Sequence, residues 1–215
     1  MKKLFALLLV LVLAFSFAAC SQNPPQTDPE QNEQTTPEGL DETNAMDSLI
    51  DWMKDGTFSY DFEMNSEYEG EIINAIGSLA IDGENYAMSS ETTIEGVATQ
   101  SRIIIVDGVT NIIDDTSKMI IKTSGGGMDM TKMPTEYEGM ELINSGEGTV
   151  NGKNLPYEEY MVEGVAMKIY MENGTVYAIE SEYEGSYTLM IISNAKNTVP
   201  GGVFDLPEGY QEMSY

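Results

Sequence analysis

Few residues in this 215-residue chain have types and spacings suited to chemistry. Histidine is absent, which removes the commonest general base and transition-metal ligand, and every Ser-His or Cys-His triad. The single cysteine is Cys20, so no disulfide can form within the chain. Ser193-Asn194-Ala195-Lys196 has the spacing of a lysine-activated serine. That arrangement needs a helix start and partner motifs, and here it follows a strand-like run, so it reads as coincidence. With 36 acids, some carboxylate pair reaches hydrolytic spacing by chance, and no pattern singles one out. There is no phosphate loop, EF-hand or zinc cluster. Met128-x-Met130-x-x-Met133 offers three soft thioethers. They suit Cu(I), a flexible lid over an irregular apolar ligand, or plain packing. No residue is assigned to catalysis or to a resident metal, no cofactor is expected, and the expectation is a protein that is not an enzyme.

Cys20 takes its meaning from what precedes it. Met1-Lys2-Lys3 is a short basic start, and Leu4 to Phe17 is apolar except for Ser16. That run falls short of the roughly 20 apolar residues that span a bilayer. With Ala18-Ala19 before the cysteine, it reads as a secretory signal peptide over 1–19. The stretch Ala18-Ala19-Cys20 resembles the lipobox of bacterial lipoproteins. The resemblance implies cleavage before Cys20 and diacylglycerol on its sulfur. Two acyl chains suffice for stable anchoring, at about 0.8 kcal/mol per buried CH₂. The expectation is an exported protein, anchored on the outer face of the plasma membrane or, in a two-membrane cell, on the outer membrane.

Removing 1–19, which holds two lysines and no acid, takes the formal charge from −26 to −28. Such a chain is repelled by nucleic acid and by anionic lipid surfaces. No partner protein is identifiable.

Residues 20–43 read as the lipidated cysteine and a polar linker, with Leu40 its only large apolar residue. Such a segment buries too little to offset its ordering entropy. Residues 44–215 form the domain. Met46, Leu49, Ile50 and Met53 have helical spacing over Asn44 to Asp55, with Asn44 as N-cap and Gly56 after the end. The rest reads mostly as strands. Phe58, Tyr60, Phe62 and Met64 alternate with polar residues. Further strands are expected near 71–81, 85–95, 101–106, 109–114 and 118–123, then 157–163, 165–172, 175–183 and 186–193. Asp82-Gly83, Asp107-Gly108 and Asn173-Gly174 punctuate them as tight hairpins, and Asn151-Gly152 is a further candidate turn. Sequential hairpins imply an antiparallel meander. Ile103 to Val106 and Leu189 to Ile192 are apolar on both faces, so either both faces are covered or the sheet curls around an apolar interior. The segment 124–134, with three consecutive glycines, is the least regular, and 135–144 has the makings of a short helix. Glu-Tyr-Glu-Gly recurs at 67–70, 136–139 and 182–185, which reads as turn chemistry rather than a repeat array.

The domain resembles the lipoprotein-localisation factors of the LolA and LolB type. Four features carry the resemblance: the opening helix followed by the aromatic strand Phe58 to Met64; the hairpin and polar turn from Val106 to Met119; the lid-like segment between two strand blocks; and the close Val203-Phe204-Asp205-Leu206-Pro207-Glu208-Gly209-Tyr210. It implies a mainly β fold with minor α, a curled antiparallel sheet (half-barrel) with short helices over its concave face, and a lipid or other apolar ligand in the groove. The candidate lining residues are Phe58, Tyr60, Phe62, Met64, Ile103, Ile105, Met167 and Ile169, with Met128, Met130 and Met133 as the lid. Arg102, the only arginine, reads either as a contact for a polar headgroup or as a residue that simply faces water. Two other readings stay open: a structural or interaction lipoprotein with a packed core, and a Met-rich Cu(I)-binding protein.

Overall fold

A computed structural model describes residues 45–68, 70–124, 140–162, 164–183 and 185–214. Cys20, the linker and the Met128/Met130/Met133 segment lie outside these residues.

The alternating and doubly apolar runs form strands, and the strands form one open, curled sheet. In chain order the elements are helix α1 (Ala45–Met53), β1 (Thr57–Tyr68), β2 (Glu71–Asp82), β3 (Asn85–Ile94), β4 (Val97–Val106), β5 (Val109–Asp114), β6 (Met119–Ser124), β7 (Met140–Val150), β8 (Lys153–Val162), β9 (Val165–Glu172), β10 (Thr175–Tyr183), β11 (Ser186–Lys196) and β12 (Gln211–Ser214). The order across the sheet is β12-β6-β5-β4-β3-β2-β1-β11-β10-β9-β8-β7. The two strand blocks are therefore two meanders, joined where β1 pairs with β11. Every pairing is antiparallel except β12 with β6.

Turn chemistry fixes the register. Val106 pairs with Val109 and Glu172 with Thr175, which leaves Asp107-Gly108 and Asn173-Gly174 as two-residue loops. All four of these loop residues have positive φ, as the favoured hairpin turns require. At the next hairpin Asp82 pairs with Asn85, so the loop is Gly83-Glu84, one residue later than expected. The Glu-Tyr-Glu-Gly copies at 67–70 and 182–185 lie at hairpin ends, where Tyr68 pairs with Glu71 and Tyr183 with Ser186.

One expectation fails. Residues 140–144, read as the end of a short helix, open the strand β7. Nor did the sequence reading anticipate β12. The expected helix over 44–55 is present as Ala45–Met53, and it is the only helix among the described residues.

The doubly apolar strands are covered on the face away from the helix by two separate clusters. Ala87, Ile104, Ile113 and Ile120 are buried under Val203, Phe204, Leu206 and Tyr210. The closing Val-Phe-Asp-Leu-Pro-Glu-Gly-Tyr run is thus a strap across this outer face. At the other end Val150, Leu155, Tyr170, Ala178 and Ile191 pack together. Gly148 makes room for this cluster, since a Cβ there would meet the Tyr170 ring at 3.0 Å.

Candidate functional site

The helix lies against β8, β9, β10 and β1. Its N-terminus is held by Glu158 from β8. The Glu158 Oε2 accepts from the Ala45 N–H at 2.6 Å and from the Tyr160 hydroxyl at 2.6 Å. A carboxylate there satisfies an orphan donor and faces the positive end of the helix dipole. In the last turn Trp52 packs against Phe58 and Tyr60, each with ring centroids 5.3 Å apart. Such pairs add about 0.5–1.5 kcal/mol each beyond their burial. Leu49 and Ala45 are buried beneath the helix.

The face under the helix is the inner face, and strand register organises it into rows. Phe58, Ile81, Tyr86 and Ile105 form one row across β1–β4. Tyr60, Leu79, Met88, Ile103, Ile112, Ile121 and Met213 form the next, across seven strands out to β12. Phe62 sits between Ile192 and Gly77. A further row runs Ile169, Ile179, Met190, Met64 and Ala75. Met167 lies one row on, between Tyr160 and Ser181. All eight candidate lining residues therefore share one face of one sheet. Side chains of successive rows repeat every two residues, so five such rows extend roughly 27 Å along the strands.

Their exposure divides them. Phe58, Tyr60, Phe62, Met64, Ile105 and Ile169 are buried, and Ile103 and Met167 are half-buried. In the seven-strand row exposure climbs from 5% at Tyr60 to 42% at Ile112 and 41% at Met213. The apolar face thus continues past the helix toward the β5–β6–β12 edge and meets solvent there. Ile112, Ile121 and Met213 were not among the sequence candidates. The signal that could have found them was the period-2 pairing of Ile103 with Ile112 across the Asp107-Gly108 hairpin.

The inner face is apolar enough to act on its phenols. Burial, then the nearby Tyr86, pushes Tyr60 far above the ordinary phenol range. Burial pushes Tyr86 up to about 12, and its hydroxyl donates to the Met88 Sδ at 3.2 Å. Trp52 Nε1 is buried without a hydrogen-bond partner.

Gly77 marks a tight approach of strands beside Phe62. A Cβ there would meet the Ser89 carbonyl oxygen at 2.2 Å and the Phe62 ring at 2.8 Å. Only glycine permits that approach.

Arg102 is not on the inner face. It lies on β4 beside Ile113, pointing outward, and its guanidinium stands 3.7 Å from Asp115. The Tyr210 hydroxyl also donates to Asp115, at 2.7 Å, which fastens the end of the strap. Ser193 and Lys196 both pair with β1 inside the regular strand β11 and do not begin a helix. Among the described residues no His/Cys/Asp/Glu group is arranged to hold a metal. No helix of the described residues is long and apolar enough to cross a membrane.

Outward-facing Lys168 sits between Glu180 at 3.3 Å and Glu159 at 4.0 Å. Burial works to lower its pKa, but the two carboxylates outweigh it and the net shift is upward. Tyr170 is raised by burial and by its hydrogen bond to Glu180. These contacts brace the β8–β10 end of the outer face.

No protein-family model matches the chain, and no curated protein does. Solved structures similar to it include an uncharacterized conserved protein from Thermus thermophilus, at 10% identity over 80% of this chain and 97% of that chain, with a TM-score of 0.49. The lipoprotein LppX from Mycobacterium tuberculosis is 9% identical over 73% of this chain and 95% of that chain, with a TM-score of 0.42. A LolA superfamily protein from Nitrosomonas europaea is 10% identical over 76% of this chain and 98% of that chain, with a TM-score of 0.34. The fold described above rests on strand register and not on these likenesses.

Proposed function

We propose that this protein is an exported lipoprotein, anchored through Cys20, whose domain binds a lipid or another apolar ligand on the inner face of its sheet. One observation carries the reading. The row from Tyr60 to Met213 runs apolar through seven strands and is progressively uncovered toward the β12 edge. A contiguous exposed apolar strip on a soluble fold marks a place of contact. The buried members, Phe58, Tyr60, Phe62, Met64, Ile105 and Ile169, then serve as the packed floor. Ile103, Ile112, Ile121 and Met213 are where a ligand's chain would lie.

The second reading, a structural or interaction lipoprotein, is favoured by the burial of six of the eight candidates. The Cu(I) reading rests on Met128, Met130 and Met133, and unchanged Cu(I) affinity after replacing all three with Leu would dismiss it. To separate the first two readings, the full chain is purified natively, extracted, and the extract examined by lipid mass spectrometry. Stoichiometric lipid supports the ligand reading. An empty extract together with no uptake of a fluorescent acyl probe rejects it.

A further inference from the structure

The outer face carries a second feature, unrelated to the inner one. Between the strap cluster and the β7–β11 cluster, a groove of about 610 Å³ crosses β11, β1, β2, β3 and β4. Its lining is polar. Asp61, Glu63, Glu91 and Asp115 contribute four carboxylates against the one guanidinium of Arg102, and no lysine is among the lining residues. Ser78, Ser89 and Ser193 add hydroxyls.

Several of these groups are oriented but not neutralised. Asn194 donates to Asp61 at 2.7 Å, and Gln100 donates to Glu91 at 3.4 Å. Arg102 stands off from Asp115 at 3.7 Å, and its Nε is buried with no hydrogen-bond partner. A buried N–H left unpaired is costly, so an acceptor supplied from outside would be held there. Ile76, 55% exposed, places an apolar surface among these polar groups.

The occupant is defined by what the groove lacks and supplies. It lies in the middle of the sheet, where the strands' backbone groups are already paired with one another. A peptide strand could not be captured by backbone pairing there, as it is at a sheet edge. The excess of carboxylates repels anions. A ligand rich in O–H and N–H donors, with some acceptors for Arg102 and a C–H face for Ile76, is a saccharide. We propose that this groove binds an oligosaccharide through its side chains, and that amino sugars bind more tightly than neutral ones.

The test titrates the full chain with two probes, chitotriose and the glucosamine trisaccharide, with trilysine as the control for bare charge. Saturable binding of the glucosamine trisaccharide is expected, severalfold tighter than chitotriose and weakening with salt. Glu63→Gln combined with Glu91→Gln should weaken it about tenfold, the scale of a lost hydrogen bond to a charged group. Ser89→Tyr, at an exposed position, should block it by filling the groove, and reads the site independently if the first variant folds poorly. Lack of saturation by both sugars overturns the proposal. So does trilysine binding as tightly as the amino sugar, or undiminished binding in Ser89→Tyr. Uptake of an acyl probe on the inner face is unaffected by either variant, which separates this proposal from the one above.

Discussion

Replacing Glu158 by Ala tests how the helix is held to the sheet. Its carboxylate is the shared acceptor for the Ala45 N–H and the Tyr160 hydroxyl, both at 2.6 Å. Ala45 is 3% exposed and Tyr160 6%, so water cannot easily replace the lost acceptor. Hydrogen bonds to a charged group contribute about 1.5–3 kcal/mol each. The buried carboxylate itself carries a desolvation cost, which its removal refunds in part. The expected net loss is about 2–4 kcal/mol of unfolding free energy. Glu158→Gln keeps one acceptor oxygen without the charge and should lose roughly half as much. Urea unfolding of the full chain followed by tryptophan fluorescence measures both, because Trp52 is the only tryptophan and reports helix docking against Phe58 and Tyr60. Glu158→Ala should also shift the native emission of Trp52 to the red as the helix loosens. A variant within 0.5 kcal/mol of the parent, in about the range of neutral surface changes, with unchanged emission, would refute the reasoning.

Other perturbations follow from the same geometry. Gly77→Ala forces a Cβ onto the Ser89 carbonyl, so the thermal midpoint should fall by more than for any exposed turn glycine changed to alanine. Phe204→Ala uncovers Ala87, Ile104, Ile113 and Ile120 and should cost about 1–3 kcal/mol in chemical denaturation, since Phe204 is only half-buried. Tyr86 is protonated in the fold to about pH 12, whereas an unfolded phenol ionises near pH 10. Its folded pKa is raised, so its contribution is intact below about pH 10 and is lost as pH rises from there through about 12, up to roughly 2–3 kcal/mol. Thermal melts across that window, with phenolate absorbance as a second signal, check the sign. Cys20→Ala should release the protein from the membrane into the aqueous phase of a detergent partition, and retention in the detergent phase would contradict the anchor.

Much of the strand pattern was legible because its determinants are local. Two-residue turns at Asp107-Gly108 and Asn173-Gly174 set the pairing, and alternation from Phe58 to Met64 set the face. Once registers are fixed, every second residue falls on the same side, which is why eight residues chosen from separate strands share one face. The strand β7 was missed because Gly146 and Gly148 erase its alternation. Gly148 is small for a tertiary reason, to seat the Tyr170 ring, and a local pattern does not contain that reason. The strap was legible as a motif but not as a cover, since its contacts with Ile104 and Ile120 span long sequence separations. The outer groove was invisible for the same reason. Its carboxylates come from four strands and a turn, and none is distinctive in an acidic chain.

The central claim is that the partly exposed end of the inner face holds an apolar ligand. Titration of the full chain with a fluorescent acyl probe, in the parent and in Ile112→Glu, tests it most directly. Ile112 is 42% exposed, so a charge there need not disturb the fold, but it would sit in the proposed path of the ligand. Saturable binding in the parent, weakened tenfold or more in the variant at unchanged thermal midpoint, is the predicted result. No saturable binding, or equal binding in both, would contradict the account.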